Sequence, residues 1–204
     1  MSDSTKYNKI LDALQELMED KNIQTITVSE IALTAGVGKG SIYYYFPSKE
    51  AIWEALVERN YEKPLEIAQN LSTQTDVSPF TRMAMIFQAC RNSSSEFLEK
   101  NSHTAHLNTV ESSFIHQKFL THLITELKPV LTEIIRQGIE SGQIHFPYPS
   151  ALAEIVLIVL TVKLDNTLIP SSPEEIEETI RGLIALLEKG TENPAGSLNF
   201  LTTL

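Results

Sequence analysis

Apolar residues recur along this chain at spacings of three and four, punctuated by Gly, Pro, Ser and Thr, and that rhythm predicts a succession of helices. Ile10, Leu14, Leu17 and Met18 mark a first amphipathic helix, which Asn22 ends by taking a left-handed backbone. Thr27 opens the next helix. Its hydroxyl is placed to accept a first-turn N–H while Glu30 reaches back, the S/T-x-x-E capping box. Ile31, Ala32 and Ala35 form a small apolar face, and Gly36 lets the chain turn at low steric cost. Gly38 caps a short second helix in which Ile42 and Phe46, four apart, face inward, and Pro47 stops it. Ser48 caps a third helix with Glu50 in its first turn. Ile52, Trp53 and Leu56 carry it to about Tyr61, before Pro64 breaks or kinks it.

Residues 71–78 are polar and read as a loop. Ser78-Pro79 then starts a helix with the face Phe80, Met83, Ala84 and Phe87. A longer helix is expected from about Phe114 to Ser141, carrying Phe119, Leu123, Leu127, Leu131, Ile134 and Ile135, with Pro129 kinking or dividing it. The segment from about Ser150 to Leu168 is apolar almost all round, so it must be covered on both sides. Ile176, Ile180, Leu183, Ile184 and Leu187 stripe the last helix, and the tail after Gly190 reads as loose, with Leu198, Phe200 and Leu204 available to dock. The fold class is therefore all-α.

Two short helices joined by three or four residues including Gly form a helix-turn-helix, and Ala32, Ala35 and Gly36 permit their close crossing. With Ile42 and Phe46 turned inward, Lys39, Gly40, Ser41, Tyr43, Tyr44 and Tyr45 remain at the exposed end and flank of the second helix. Tyrosine hydroxyls on flat apolar bodies suit phosphate oxygens and sugars; equally, any one of the three is a candidate for half-burial in the core.

The run IALTAGVGKGSIYYYFPSKEAI closely resembles the DNA-binding signature of the TetR family of bacterial transcriptional regulators, with Ile31, Ala32, Ala35, Gly36, Val37, Gly40, Tyr43, Phe46 and Lys49 on pattern positions. The resemblance implies a three-helix head with helix-turn-helix, residues 1–47, and a helical effector-binding and dimerisation domain, residues 48–204. It implies that Thr27, Tyr43, Tyr45 and Lys49 grip phosphates of a double-stranded, palindromic DNA operator, and that Lys39, Gly40, Ser41 and Tyr44 face bases. Gly38 stands where Ser or Thr often caps, and Tyr45 where His is frequent. The function implied is a sequence-specific transcriptional regulator, a repressor released by a small-molecule effector that moves the helix after Ser48, with Trp53 and Pro64 as its fulcrum. The preferred reading of Trp53 by itself is core, since Trp is usually highly buried. The alternative class is a small-molecule-binding or carrier protein with a vestigial head.

A net charge of −10 over 204 residues argues against a protein that coats nucleic acid generally, and leaves DNA contact to a few aimed donors. Cys90 is the only cysteine, so no intrachain disulfide forms and a reduced, cytoplasmic setting is expected. No signal-peptide pattern opens the chain, and the apolar run Ile155–Val162 falls short of the roughly 20 residues that cross a bilayer. No nucleophile with a base, phosphate loop or carboxylate pair suggests an enzyme, and no cofactor is implied.

Continuing the Phe80 stripe brings Arg91, Ser94 and Leu98 to the same face. One reading is an effector pocket, with Arg91 pairing an acidic group beside Phe87, Cys90 and Phe97, and with His103, His106, Phe114 and Phe119 as further lining. The other is an Arg whose stem packs and whose head reaches water or a Glu. His103, His106, His116 and His122 lack a carboxylate or cysteine at ligand spacing, so they rank as surface or pocket residues rather than metal ligands. Ile155, Val159, Val162, Ile176, Ile180, Leu183 and Leu187 are the expected faces of a twofold four-helix interface between two copies.

Overall fold

The computed structural model describes residues 3–100, 110–165 and 169–203. Among these there are eight α-helices and no strand: α1 (Asp3–Asp20), α2 (Val28–Thr34), α3 (Lys39–Tyr45), α4 (Lys49–Ser72), α5 (Pro79–Lys100), α6 (Val110–Glu140), α7 (Pro149–Asp165) and α8 (Pro173–Gly190). A 3-10 helix, Asn199–Thr203, closes the chain. Two compact units divide it, Met1–Lys63 with Asn92–Phe119, and Pro64–Arg91 with Leu120–Leu204.

In the first unit α1 packs on α2 and α2 on α3. Ile10, Leu11, Leu14 and Met18 bury one face of α1 against Ile31, Ile42, Phe46, Ile52 and Leu56. Full burial of each such side chain is worth about 1.5–3 kcal/mol, which is what holds helices of only seven residues in place. Trp53 packs on the rim of this cluster, and its indole N–H is buried without a hydrogen-bond partner among the described residues.

In the second unit Phe80, Met83 and Phe87 of α5, Val156 and Leu160 of α7, Ile180, Leu183, Ile184 and Leu187 of α8, and Leu201 line an apolar cavity of about 20 Å³. A Cβ on Gly138 would stand 2.8 Å from Pro79 Cγ and 2.7 Å from Ile144 Cδ1, so only glycine lets the start of α5 and the turn after α6 approach α6 this closely. Arg82 is 1% exposed. Its Nη1 donates to Gln137 Oε1 at 2.7 Å and to the carbonyls of Leu71 and Ser72 at 3.4 Å, placing a cation on the last turn of α4, the negative end of its dipole. Burial pulls the Arg82 guanidinium below its ordinary value, while Asp76 and Glu133 act in the opposite direction.

Four expectations are corrected. Asn22 does not take a left-handed backbone, since among the described non-glycine residues a positive φ occurs at Glu192; α4 does not stop near Tyr61 but runs through Pro64 to Ser72, and Pro129 does not divide α6. The tail is not loose. Leu198 and Leu201 are buried, and Glu188 accepts the N–H groups of Gly196 at 2.9 Å and Leu198 at 2.8 Å; Phe200 stays exposed and Leu204 lies outside the described residues. The α8 stripe Ile180, Leu183 and Leu187 is buried within the subunit beside α5, α7 and Leu201 of the tail.

Candidate nucleic-acid interface

Thr27, with φ −103° and ψ 153°, caps α2: its hydroxyl accepts from Glu30 N at 3.2 Å, and Glu30 Oε2 accepts from Thr27 N at 2.8 Å. Lys21 Nζ pairs with Glu30 Oε1 at 2.8 Å. Hydrogen bonds from Lys21 and Thr27 hold the Glu30 carboxyl at about 2, well below the usual carboxylate range. α2 ends at Ala35, and Gly36, at φ 64°, makes the turn in a conformation that costs a residue with a Cβ roughly 1–2 kcal/mol. Gly38 takes the N-cap of α3 with an extended backbone and no side-chain bond, and Phe46 ends α3 in the extended conformation that a residue before proline favours.

This frame sorts the side chains of α3. Ile42 and Phe46 are buried, fixing the helix to the core. Lys39 and Gly40 are exposed, Ser41 is half-buried, and Tyr43 and Tyr44 stand 52% and 74% exposed. Tyr45 turns the other way: its ring meets Tyr7 edge-on at 6.3 Å and Tyr44 at 4.9 Å. Tyr7 stacks on Phe46 at 4.8 Å. It is a residue that the sequence reading passed over, since only its spacing before Ile10 hinted that it belongs to the buried edge of α1. Burial, reinforced by Glu58 and Glu62, raises the pKa of its hydroxyl.

Lys49 is engaged in a way that the sequence did not suggest. Its Nζ donates to the carbonyls of Ile23 at 2.9 Å, Gln24 at 3.2 Å and Ile26 at 3.1 Å. All three ammonium hydrogens are thereby committed to the α1–α2 loop that ends in Thr27. Thr27 itself is exposed, as is Leu33.

The remaining expected sites are dispersed. Phe87 and Cys90 are buried in the second unit, and burial pushes the Cys90 thiol up to about 12. Arg91 is exposed. His103 and His106 lie outside the described residues, as do the side chains of Phe97, Phe114, His116 and Phe119. Ile155 is exposed, Val159, Val162 and Ile176 are half-buried, and the large apolar side chains left open on α7 and α8 among the described residues are Ile155, Ile158 and Leu186. No helix among the described residues is long and apolar enough to cross a membrane.

A capped helix, a left-handed glycine turn and a second helix that shows polar and aromatic residues outward define a helix-turn-helix regulator. The profile of the bacterial regulatory proteins, tetR family, matches residues 10–56, and that of the tetracyclin repressor-like C-terminal domain matches residues 97–184. The chain belongs to the TetR family of DNA-binding transcriptional regulators, whose C-terminal domain binds ligands. The nucleoid occlusion factor SlmA of Pectobacterium carotovorum subsp. carotovorum (strain PC1) is 29% identical over 147 residues, 70% of this chain and 72% of that protein. The uncharacterized HTH-type transcriptional regulator YvdT of Bacillus subtilis (strain 168) is 40% identical over 55 residues, 27% of this chain and 28% of its own. Among solved structures, RolR in complex with resorcinol shares the fold with a TM-score of 0.65 at 18% identity, over 98% of this chain and 94% of that one.

Proposed function

We propose that this regulator is a homodimeric repressor whose two α3 helices read the half-sites of a palindromic operator, and which a small-molecule effector releases. The observation that carries the reading is the sorting of α3, in which Ile42 and Phe46 are spent on the core while Lys39, Gly40, Tyr43 and Tyr44 are left to solvent. A Cβ placed on Gly40 would meet nothing within 4 Å, so the fold makes no demand for glycine there, whereas a helix lying close against base edges does. In this reading Lys39, Gly40, Ser41 and Tyr44 face bases, Thr27 and Tyr43 contact phosphates, and Tyr45 and Lys49 hold the frame.

Ile155, Ile158 and Leu186, beside the small residues Gly182 and Ala185, form the α7–α8 face against the second copy, with Val159 and Val162 at its edge. The effector binds in the second unit near Phe87. RolR was solved with resorcinol, which supports a small organic molecule here too. As an operator-bound protein it works in the cytoplasm. A footprint on the DNA upstream of its own gene is the test. Two protected half-sites about 34–36 Å apart support the reading, and a protein that binds an organic ligand but protects no DNA would make it a carrier with a vestigial head.

A further inference from the structure

Pro64 stands inside α4 and has no amide hydrogen, so the carbonyl of Asn60, one turn earlier, lacks the helical bond that the amide of residue 64 would give. A buried or half-buried carbonyl left in that state is costly, and a proline ring also pushes it outward. The missing donor comes from another helix. Ser93 of α5 donates its hydroxyl to Asn60 O at 2.6 Å, and the Asn60 side-chain amide returns a bond to Ser93 O at 3.2 Å. One residue on, the hydroxyls of Tyr61 and Ser94 are in hydrogen-bond contact, with Tyr61 buried. Asn60, Tyr61, Ser93 and Ser94 all lie in the first unit, so the clasp is internal to it.

We infer that Ser93 is a positioning residue for DNA recognition: its hydroxyl completes α4 at the Pro64 lesion and so keeps continuous the helix that begins directly after the recognition helix. Ser93 has no intrahelical need for this bond, since its own carbonyl and amide belong to α5. A hydroxyl that α5 presents meets the carbonyl that α4 leaves without its amide donor, and the returning Asn60 amide ties the two segments together within the first unit. The consequence for DNA rests on the regulator reading above; the clasp itself does not.

The test is a double-mutant cycle on the full chain. Ser93→Ala is expected to raise the unfolding equilibrium constant in urea about tenfold, a loss of about 1.4 kcal/mol, and to speed amide exchange in residues 61–68. Pro64→Ala restores the N–H that Asn60 O lacks, so Ser93→Ala placed on that background is expected to cost less than about twofold. Ser93→Thr, which keeps a hydroxyl, is expected to stay nearer wild type than Ser93→Ala. Equal losses in both backgrounds would overturn the inference. If Ser93→Ala alone fails to fold, the folded double variant supports it and an unfolded one overturns it. Binding of labelled DNA from upstream of the gene is expected to weaken in Ser93→Ala and to recover in the double variant. Unchanged affinity would overturn the positioning role, while a wild-type protein that ignores this DNA speaks against the regulator reading and leaves the cycle to decide the clasp.

Discussion

Replacing Lys49 by Met separates two roles that one ammonium group can play. In the structure its hydrogens go to three carbonyls of residues 23, 24 and 26, the bonds to Ile23 and Ile26 being part-buried and that to Gln24 exposed. A charged donor to a carbonyl contributes about 1.5–3 kcal/mol when shielded and much less in water, and Met retains the packing of the stem, so the net loss is about 2 kcal/mol. With a urea dependence of about 2 kcal/mol per molar, the unfolding midpoint moves down by about 1 M, measured by circular dichroism at one fixed protein concentration. If Lys49 instead grips a phosphate, its removal leaves stability within about 0.5 kcal/mol and lowers the slope of log affinity against log salt by about 0.9. That second pattern, an unmoved midpoint with a flattened salt slope, would refute the loop-holding role.

Four further outcomes follow from the geometry. Gly36→Ala places a Cβ at φ 64° with no steric neighbour, so it should cost about 1–2 kcal/mol from backbone alone, read from the same urea transitions. Gly38→Ser adds the missing cap to α3 and should raise stability by a few tenths of a kcal/mol; a loss would mean that the extended backbone there cannot aim the hydroxyl. The Glu30 carboxyl is lowered from 4.5 to about 2, so its contribution to stability is complete above 4.5 and is lost as pH falls toward 2. Glu30→Gln should therefore flatten that part of the acid melting curve without altering the shape above pH 5. Ile155→Glu with Leu186→Glu should convert dimer to monomer in sedimentation, and an unchanged sedimentation coefficient would move the interface elsewhere.

The head was legible because each of its signals is local. Thr27 and Glu30 are three apart, Gly36 sits at the turn it makes, and Ile42 and Phe46 face one way by spacing alone. What could not be read depends on partners distant in the chain. Pro64 looked like a stop because the hydroxyl that repairs it, Ser93, is 29 positions further on, and the carbonyl it serves belongs to Asn60. Periodicity marked the α8 stripe as apolar but carries no information about what packs on it, and within the subunit α5, α7 and Leu201 of the docked tail bury it. Of two arginines on α5, the sequence drew attention to Arg91 through its place on the stripe; Arg82 is the buried one, because the end of α4 and Gln137 converge on it. The same holds for Lys49, whose pattern position suggested phosphate while its loop partners sit 23 to 26 residues away.

The most direct test of the central claim is a fluorescence anisotropy titration of wild type and the Lys39→Ala, Tyr44→Ala double variant against DNA from upstream of the gene and a scrambled duplex, each at two salt concentrations. Both side chains are exposed and neither contributes to the buried head core, so the variant should fold as wild type does. Wild type is expected to show a tight, salt-sensitive preference for the upstream DNA that the variant loses. Equal affinity of wild type for both duplexes, or a variant that still prefers the upstream DNA, would contradict it.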